Sequence, residues 1–179
     1  ESLLTEKIAE LGENMQILDC RKMEISNGVH GGYIHSNGKI GVAVPLETDK
    51  PCDDERLKTL ARDIAMHIAA FNPVAVDDED VAADVLAREK DIIEAKAKES
   101  GKPDNIVEKM IEGGLRKYLD EVTLLRQPYV MDNDKKVGDV LKAEGVKVLG
   151  FKRLEVGEGI EKKQEDFAAE VAAAQAASK

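Results

Sequence analysis

Residues Gly31–Pro45 read GGYIHSNGKIGVAVP, and this stretch decides the fold. Apolar residues flank Ser36-Asn37-Gly38 on both sides. Asn and Gly tolerate the left-handed backbone of a tight connection, so a β-hairpin with its tip at Ser36–Gly38 is predicted. Pro45 has no backbone N–H and is expected to close the second strand. Next, Asp53–Phe71 places Leu57, Leu60, Ile64, Ile68 and Phe71 on one helical stripe. Asp53 and Asp54 suit its N-terminus by capping and by the helix dipole, and Asn72-Pro73 stops it. A hairpin followed by a helix with one apolar face implies an α+β fold: a small antiparallel sheet packed with helices.

Upstream, Leu4, Ile8 and Leu11 predict a short helix over Ser2–Leu11, ended by Gly12. Met15–Ile25 (MQILDCRKMEI) alternates in part and predicts a strand, and Asn27-Gly28 is a further turn signal. Downstream, Asp77–Asp120 changes character and is rich in Ala, Glu, Lys and Asp. Val81, Val85 and Ile92 recur at heptad-like spacing; after Ser100-Gly101-Lys102-Pro103, Val107, Ile111, Leu115 and Tyr118 supply a second stripe. Gly at one helix end and Pro opening the next predict an antiparallel helical hairpin, a small coiled coil projecting from the body. Beyond Pro128, VGDVLKAEG predicts a short helix ended by Gly145, and Val146–Gly157 a strand pairing with the earlier ones. The expected organisation is a discontinuous core (1–76 and 120–157), an inserted arm (77–119) and a C-terminal docking helix (158–179), its regular part spanning about Lys163–Ala177.

The chain has 179 residues and a net charge of -10, with 35% charged and 3% aromatic residues and no Trp. A core of Val, Ile, Leu and Ala is expected, without a large aromatic-lined pocket. The negative balance, with no basic stripe, excludes direct nucleic-acid binding as an expectation. No apolar run reaches the length of a membrane span. Cys20 and Cys52 lack CxxC spacing and read as two reduced thiols, which places the chain in the cytoplasm. The first residue is Glu1 rather than Met, read as a fragment or a processed product.

Gly157-Glu158-Gly159 before the last helix resembles the start of a phosphate loop, but the third glycine is missing and Glu155, Glu158 and Glu161 would repel phosphate. It reads as a glycine joint. In the helix beyond it, Phe167, Val171 and Ala174 share one face, and Ala168, Ala172 and Ala176 form a neighbouring face of small side chains. Chemistry alone leaves open whether this helix docks on its own domain or on a partner. His67, at the edge of the Leu60–Ile64–Phe71 stripe, reads as a packed structural histidine. His30 and His35 flank Gly31-Gly32-Tyr33; with Cys20 or Cys52 they could form a metal site, though in no recognisable spacing. An exposed His35 could equally contact a partner. No GxSxG or Cys–His motif is present, so neither an enzyme nor a cofactor is expected. A small metal-dependent enzyme and a non-catalytic interaction module with an unrelated partner stand as alternatives.

Four separated stretches together resemble bacterial-type translation elongation factor Ts: DIAMHIAAFNP (Asp63–Pro73), SGKPDNIVEKMIEGGLRKYLDEVTLLRQPYVMD (Ser100–Asp132), VGDVL (Val137–Leu141) and FKRLEVGEGIEKKQEDFAAEVA (Phe151–Ala172). They fall in the family's order and cover essentially the whole chain. The resemblance implies a guanine-nucleotide exchange factor that binds the GTPase elongation factor Tu, loosens its magnesium and phosphate contacts and releases GDP. It implies that the hairpin around YIHSNG contacts the partner's third domain through His35 and Asn37. The C-terminal helix, through Phe167, Ala168, Val171 and Ala174, would pack on the partner's nucleotide-binding domain. The helical hairpin Asp78–Leu119 is similar to the family's coiled-coil arm. The family also carries an N-terminal helical module and a Thr-Asp-Phe wedge; neither is found here, since Asp166-Phe167 follows Gln164-Glu165. The residues are therefore expected to match the C-terminal part of a full factor, with partner binding but without much of the exchange machinery. Self-association is left open.

Overall fold

The structure is a computed structural model that describes residues 2–159. The first helix, α1 (Ser2–Leu11), ends as expected at Gly12, whose N–H bonds to the Ile8 carbonyl at 2.9 Å with φ +70°. The predicted strand over Met15–Ile25 does not form; these residues have no regular structure. Adjacent Ile17 and Leu18 break the alternation, so a strand there would show one apolar side chain to each face. Both are largely exposed. Side chains tether the segment instead: Asp19 lies 2.9 Å from Arg21 and 3.7 Å from Lys152.

The hairpin is present as β1 (Gly28–Ile34) and β2 (Ile40–Glu47), antiparallel with Val29↔Leu46, Gly31↔Val44 and Tyr33↔Val42 in register. Contrary to expectation, β2 runs through Pro45. The Pro45 carbonyl accepts from Leu149 N–H at 3.4 Å. In an extended residue N and C=O point the same way, so the missing Pro45 N–H also faces Leu149. There the neighbouring chain breaks, and no ladder bond is forfeited.

That break divides the predicted Val146–Gly157 strand into two short ones, separated at Gly150 (φ +156°). They follow the second helix, α2 (Glu55–Phe71), which packs across the inward face of the sheet. Its Leu57, Leu60, Ala61, Ile64, Ala65 and Ile68 meet Val29, Val42, Val44 and Leu46 in one core. Asp54 caps it by accepting from Arg56 N–H at 2.8 Å, and Asn72 in the left-handed region (φ 46°) ends it. Gly31 permits the close approach: a Cβ there would lie 2.1 Å from the Ala61 carbonyl oxygen. Phe71 falls off the expected stripe, 43% exposed, and its ring stacks on His67 at 4.5 Å.

The expected helical hairpin is α3 (Ala83–Glu99) and α4 (Asp104–Val122), turning at Gly101 (φ +64°). The seam differs by one residue from the predicted spacing. Ile92 is 40% exposed, whereas Ile93 sits against Gly114. Adjacent apolar pairs, Val85-Leu86 and Ile92-Ile93, make the periodicity ambiguous, and the Gly114 notch selects Ile93. At the root, residues 74–76 and 122–125 run side by side, joined by Val74 N–H to Val122 O and Leu124 N–H to Ala75 O, both 2.9 Å. Arg126 pairs with Asp78 and, at 3.2 Å, with Asp120.

Residues Pro128–Tyr129 (β3) and Asp132–Lys136 (β4) form a two-stranded ribbon that the sequence did not announce. The predicted short helix is α5 (Val137–Ala143), closed by Gly145 (φ +64°), with Val137 and Leu141 in the core. The last strands, β5 (Lys147–Val148) and β6 (Lys152–Glu155), both pair antiparallel with β2. Gly157 and Gly159 adopt positive φ in a turn after β6. The predicted C-terminal helix lies outside the described residues.

Candidate partner-binding site at the hairpin tip

The β1–β2 connection is built from its own backbone. His35 N–H donates to the Ile40 carbonyl at 2.9 Å, and the His35 carbonyl accepts from Gly38 N–H at 2.8 Å. Asn37 Oδ1 accepts from Lys39 N–H at 2.9 Å. Gly38 takes φ +68°, which side chains seldom adopt. His35 and Asn37 are thus held together on one rigid tip, both exposed. Phe167, Ala168, Val171 and Ala174 lie outside the described residues.

Beneath the tip, Tyr33, Val42 and Arg153 form one cross-strand row on the inward side of the sheet. Arg153 is nearly buried, pairs with Glu155 at 2.8 Å, and leaves its Nε without a partner. The outward face carries Gly32, Gly41 and Ala43, with Ile34 76% exposed. Met23 and Leu154 join them around a cleft of about 640 Å³.

The histidines separate by environment. His30 is exposed on the outward face, opposite Pro45. Cys20 and Cys52 are exposed free thiols. Among the described residues no three His, Cys, Asp or Glu side chains gather to hold a metal ion, so the His30–His35–Cys arrangement does not assemble. His67 is fully buried, as its structural reading requires. Gln127 Nε2 donates to the Glu121 carbonyl at 2.6 Å, which leaves its Oε1 to accept from His67 Nε2–H at 2.9 Å. Burial pushes the His67 pKa below its ordinary value, and the bond to Gln127 opposes that only in part. Among the described residues, no helix is long and apolar enough to cross a membrane.

A family model described as elongation factor TS matches residues 1–158. The chain belongs to the elongation factor Ts family. Proteins named elongation factor Ts include one from Psychrobacter cryohalolentis, 70% identical over 169 residues (94% of this chain, 54% of that protein). One from a further Psychrobacter strain is 63% identical over 171 residues (96% and 55%). One from Acinetobacter baumannii is 54% identical over 173 residues (96% and 56%). The chain spans about half the length of the curated relatives it matches.

The hairpin tip lies inside the span that the family model matches. The sequence pointed to His35 and Asn37 but not to Tyr33 and Arg153 in the cross-strand row beneath the tip. Tyr33 carried a usable signal, because residues i and i+2 of a strand share a face. Arg153 carried none, since its neighbour Val42 is distant in sequence.

Proposed function

We propose that this chain, as part of a factor of its family, binds the GTPase elongation factor Tu and promotes release of its GDP in the cytoplasm, with no covalent step. Family membership across residues 1–158 carries the reading. The exposed tip on a packed sheet is consistent with it. His35 and Asn37 form one contact set, and Phe167, Ala168, Val171 and Ala174 the other. The core of residues 1–76 and 120–157 presents the first, residues 158–179 the second, and residues 77–119 form an inserted arm.

Exchange needs only differential binding. A factor that grips the nucleotide-free GTPase α-fold more tightly than the GDP form weakens GDP by the same factor. A coupling of roughly 1–3 kcal/mol corresponds to about 5–150-fold. The test is elongation factor Tu loaded with fluorescent GDP and chased with unlabelled GDP. A complex should form in calorimetry, and release should accelerate with added chain, by less than with a factor that carries the Thr-Asp-Phe wedge. Unchanged release at micromolar chain, with no complex in calorimetry, overturns the reading.

A further inference from the structure

We propose that Tyr33 is a positioning residue that fixes which imidazole nitrogen His35 offers to a partner. The Tyr33 backbone is paired with Val42 inside β1–β2, and its half-buried ring packs against the core. Its phenol oxygen lies 3.2 Å from His35 Nδ1. The two rings stand 6.1 Å apart and tilted by 52°, so the contact is a hydrogen bond at the ring edge rather than a stack. The backbone bonds of His35 to Ile40 and Gly38 fix the main chain from which the imidazole projects. Both partners are thus anchored by structure that exists before any binding.

A neutral imidazole carries one N–H, and the bond made by one nitrogen decides where it sits. Two arrangements are available here. The phenol can donate to Nδ1, with the proton on Nε2; or Nδ1–H can donate to the phenol oxygen, leaving Nε2 bare. The first is favoured, because phenol O–H is a stronger acid than imidazole N–H, and the imidazole lone pair is a stronger base than the phenol oxygen. Among the described residues the phenol is the side-chain hydrogen-bond partner of His35. The exposed Nε2–H is therefore the donor presented outward. The matching group on the partner is an acceptor oxygen, a backbone carbonyl or a side-chain amide or carboxylate.

This consequence rests on the assignment of His35 as a contact with elongation factor Tu, and the test separates the two. Imidazole nitrogen shifts, recorded on the full chain well above the ordinary histidine pKa range, report the tautomer without any partner. His35 should show protonated Nε2 and a hydrogen-bonded, unprotonated Nδ1. Tyr33→Phe, which removes one oxygen, should shift the Nδ1 signal and leave thermal stability near wild type. Elongation factor Tu affinity should fall about two- to tenfold in Tyr33→Phe, the range of one neutral hydrogen bond. In a His35→Ala background the same change should cost nothing. A protonated Nδ1, an Nδ1 signal indifferent to Tyr33→Phe, or an equal affinity loss in both backgrounds overturns the proposal. If His35→Ala leaves affinity unchanged, the contact assignment fails and the outward-donor consequence fails with it, while the nitrogen shifts alone still decide the Tyr33–His35 pair.

Discussion

Gly31→Ala should be among the most damaging single-methyl additions in this chain. A Cβ at position 31 would lie 2.1 Å from the Ala61 carbonyl oxygen, 2.6 Å from its carbon and 2.9 Å from Val44 Cγ1. The first two atoms are backbone in the middle of α2, so no side-chain rotation relieves the clash. Ordinary van der Waals contact begins near 3.4 Å. Helix α2 must therefore retreat from β1 by about 1 Å, loosening the layer in which Leu57, Ile64 and Ile68 meet Val44 and Leu46. Overpacking of this kind costs about 1–3 kcal/mol, and a backbone clash at the centre of the layer belongs at the upper end. At roughly 2–4 °C per kcal/mol for a chain of this size, the melting temperature should drop by about 6–12 °C. The internal control is Gly32→Ala, one residue along the same strand, where a Cβ meets nothing within 4 Å. That variant should stay within about 0.5 kcal/mol of wild type. Thermal unfolding followed by circular dichroism reads both. A Gly31→Ala protein as stable as Gly32→Ala would refute the close approach of helix and strand.

Stability should fall on acidification through His67. The folded chain holds its imidazole neutral by burial, while the unfolded chain takes up a proton near the ordinary value of about 6.5. The contribution is thus complete above that pH and is lost as pH falls below it towards the folded-state pKa. Urea midpoints between about pH 5 and 8 should show a slope that His67→Gln flattens; an unchanged slope in the variant counts against a buried neutral histidine. Arg126→Gln should loosen the arm root, which it ties through Asp78 and Asp120. Because the pairs are partly exposed, the global cost should be about 1 kcal/mol or less, with faster amide exchange in the last turn of α4. Unaltered exchange there would show that the backbone bonds at residues 74–76 and 122–125 suffice. Phe167→Ala should weaken elongation factor Tu binding by about 1–3 kcal/mol in calorimetry, as for a buried interface anchor. Lost thermal stability with retained affinity would place the ring on its own domain instead.

A docking surface ordered before encounter binds more tightly, because ordering a loop on binding subtracts from affinity. The hairpin tip, proposed above as such a surface, is ordered in this way: three local hydrogen bonds and one left-handed glycine shape the turn, and the core holds the strands on which it sits. The helical hairpin is organised differently. In its two helices Ala97 and Val107 are the buried apolar side chains, so its position relative to the sheet rests on the root rather than on packing along its length.

Local chemistry was enough to place α1, the β1–β2 turn, α2 with its Asp54 and Asn72 ends, the break at Gly101 and α5. Each is set by periodic burial or by turn residues acting within a few positions, and both can be read along a chain. The place of His35 and Asn37 at the hairpin tip was legible for the same reason, since they belong to the turn itself. Tertiary structure decided the rest. Pro45 stays inside β2 because the strand opposite happens to break at Leu149. Residues 13–27 stay without regular structure, tethered at Asp19 by Arg21 and Lys152 instead of by strand pairing. Ile93 displaces Ile92 in the seam because Gly114 offers it room. His67 finds Gln127 sixty positions away. These outcomes depend on which backbone comes close to which, and that is settled only when distant segments compete for the same space.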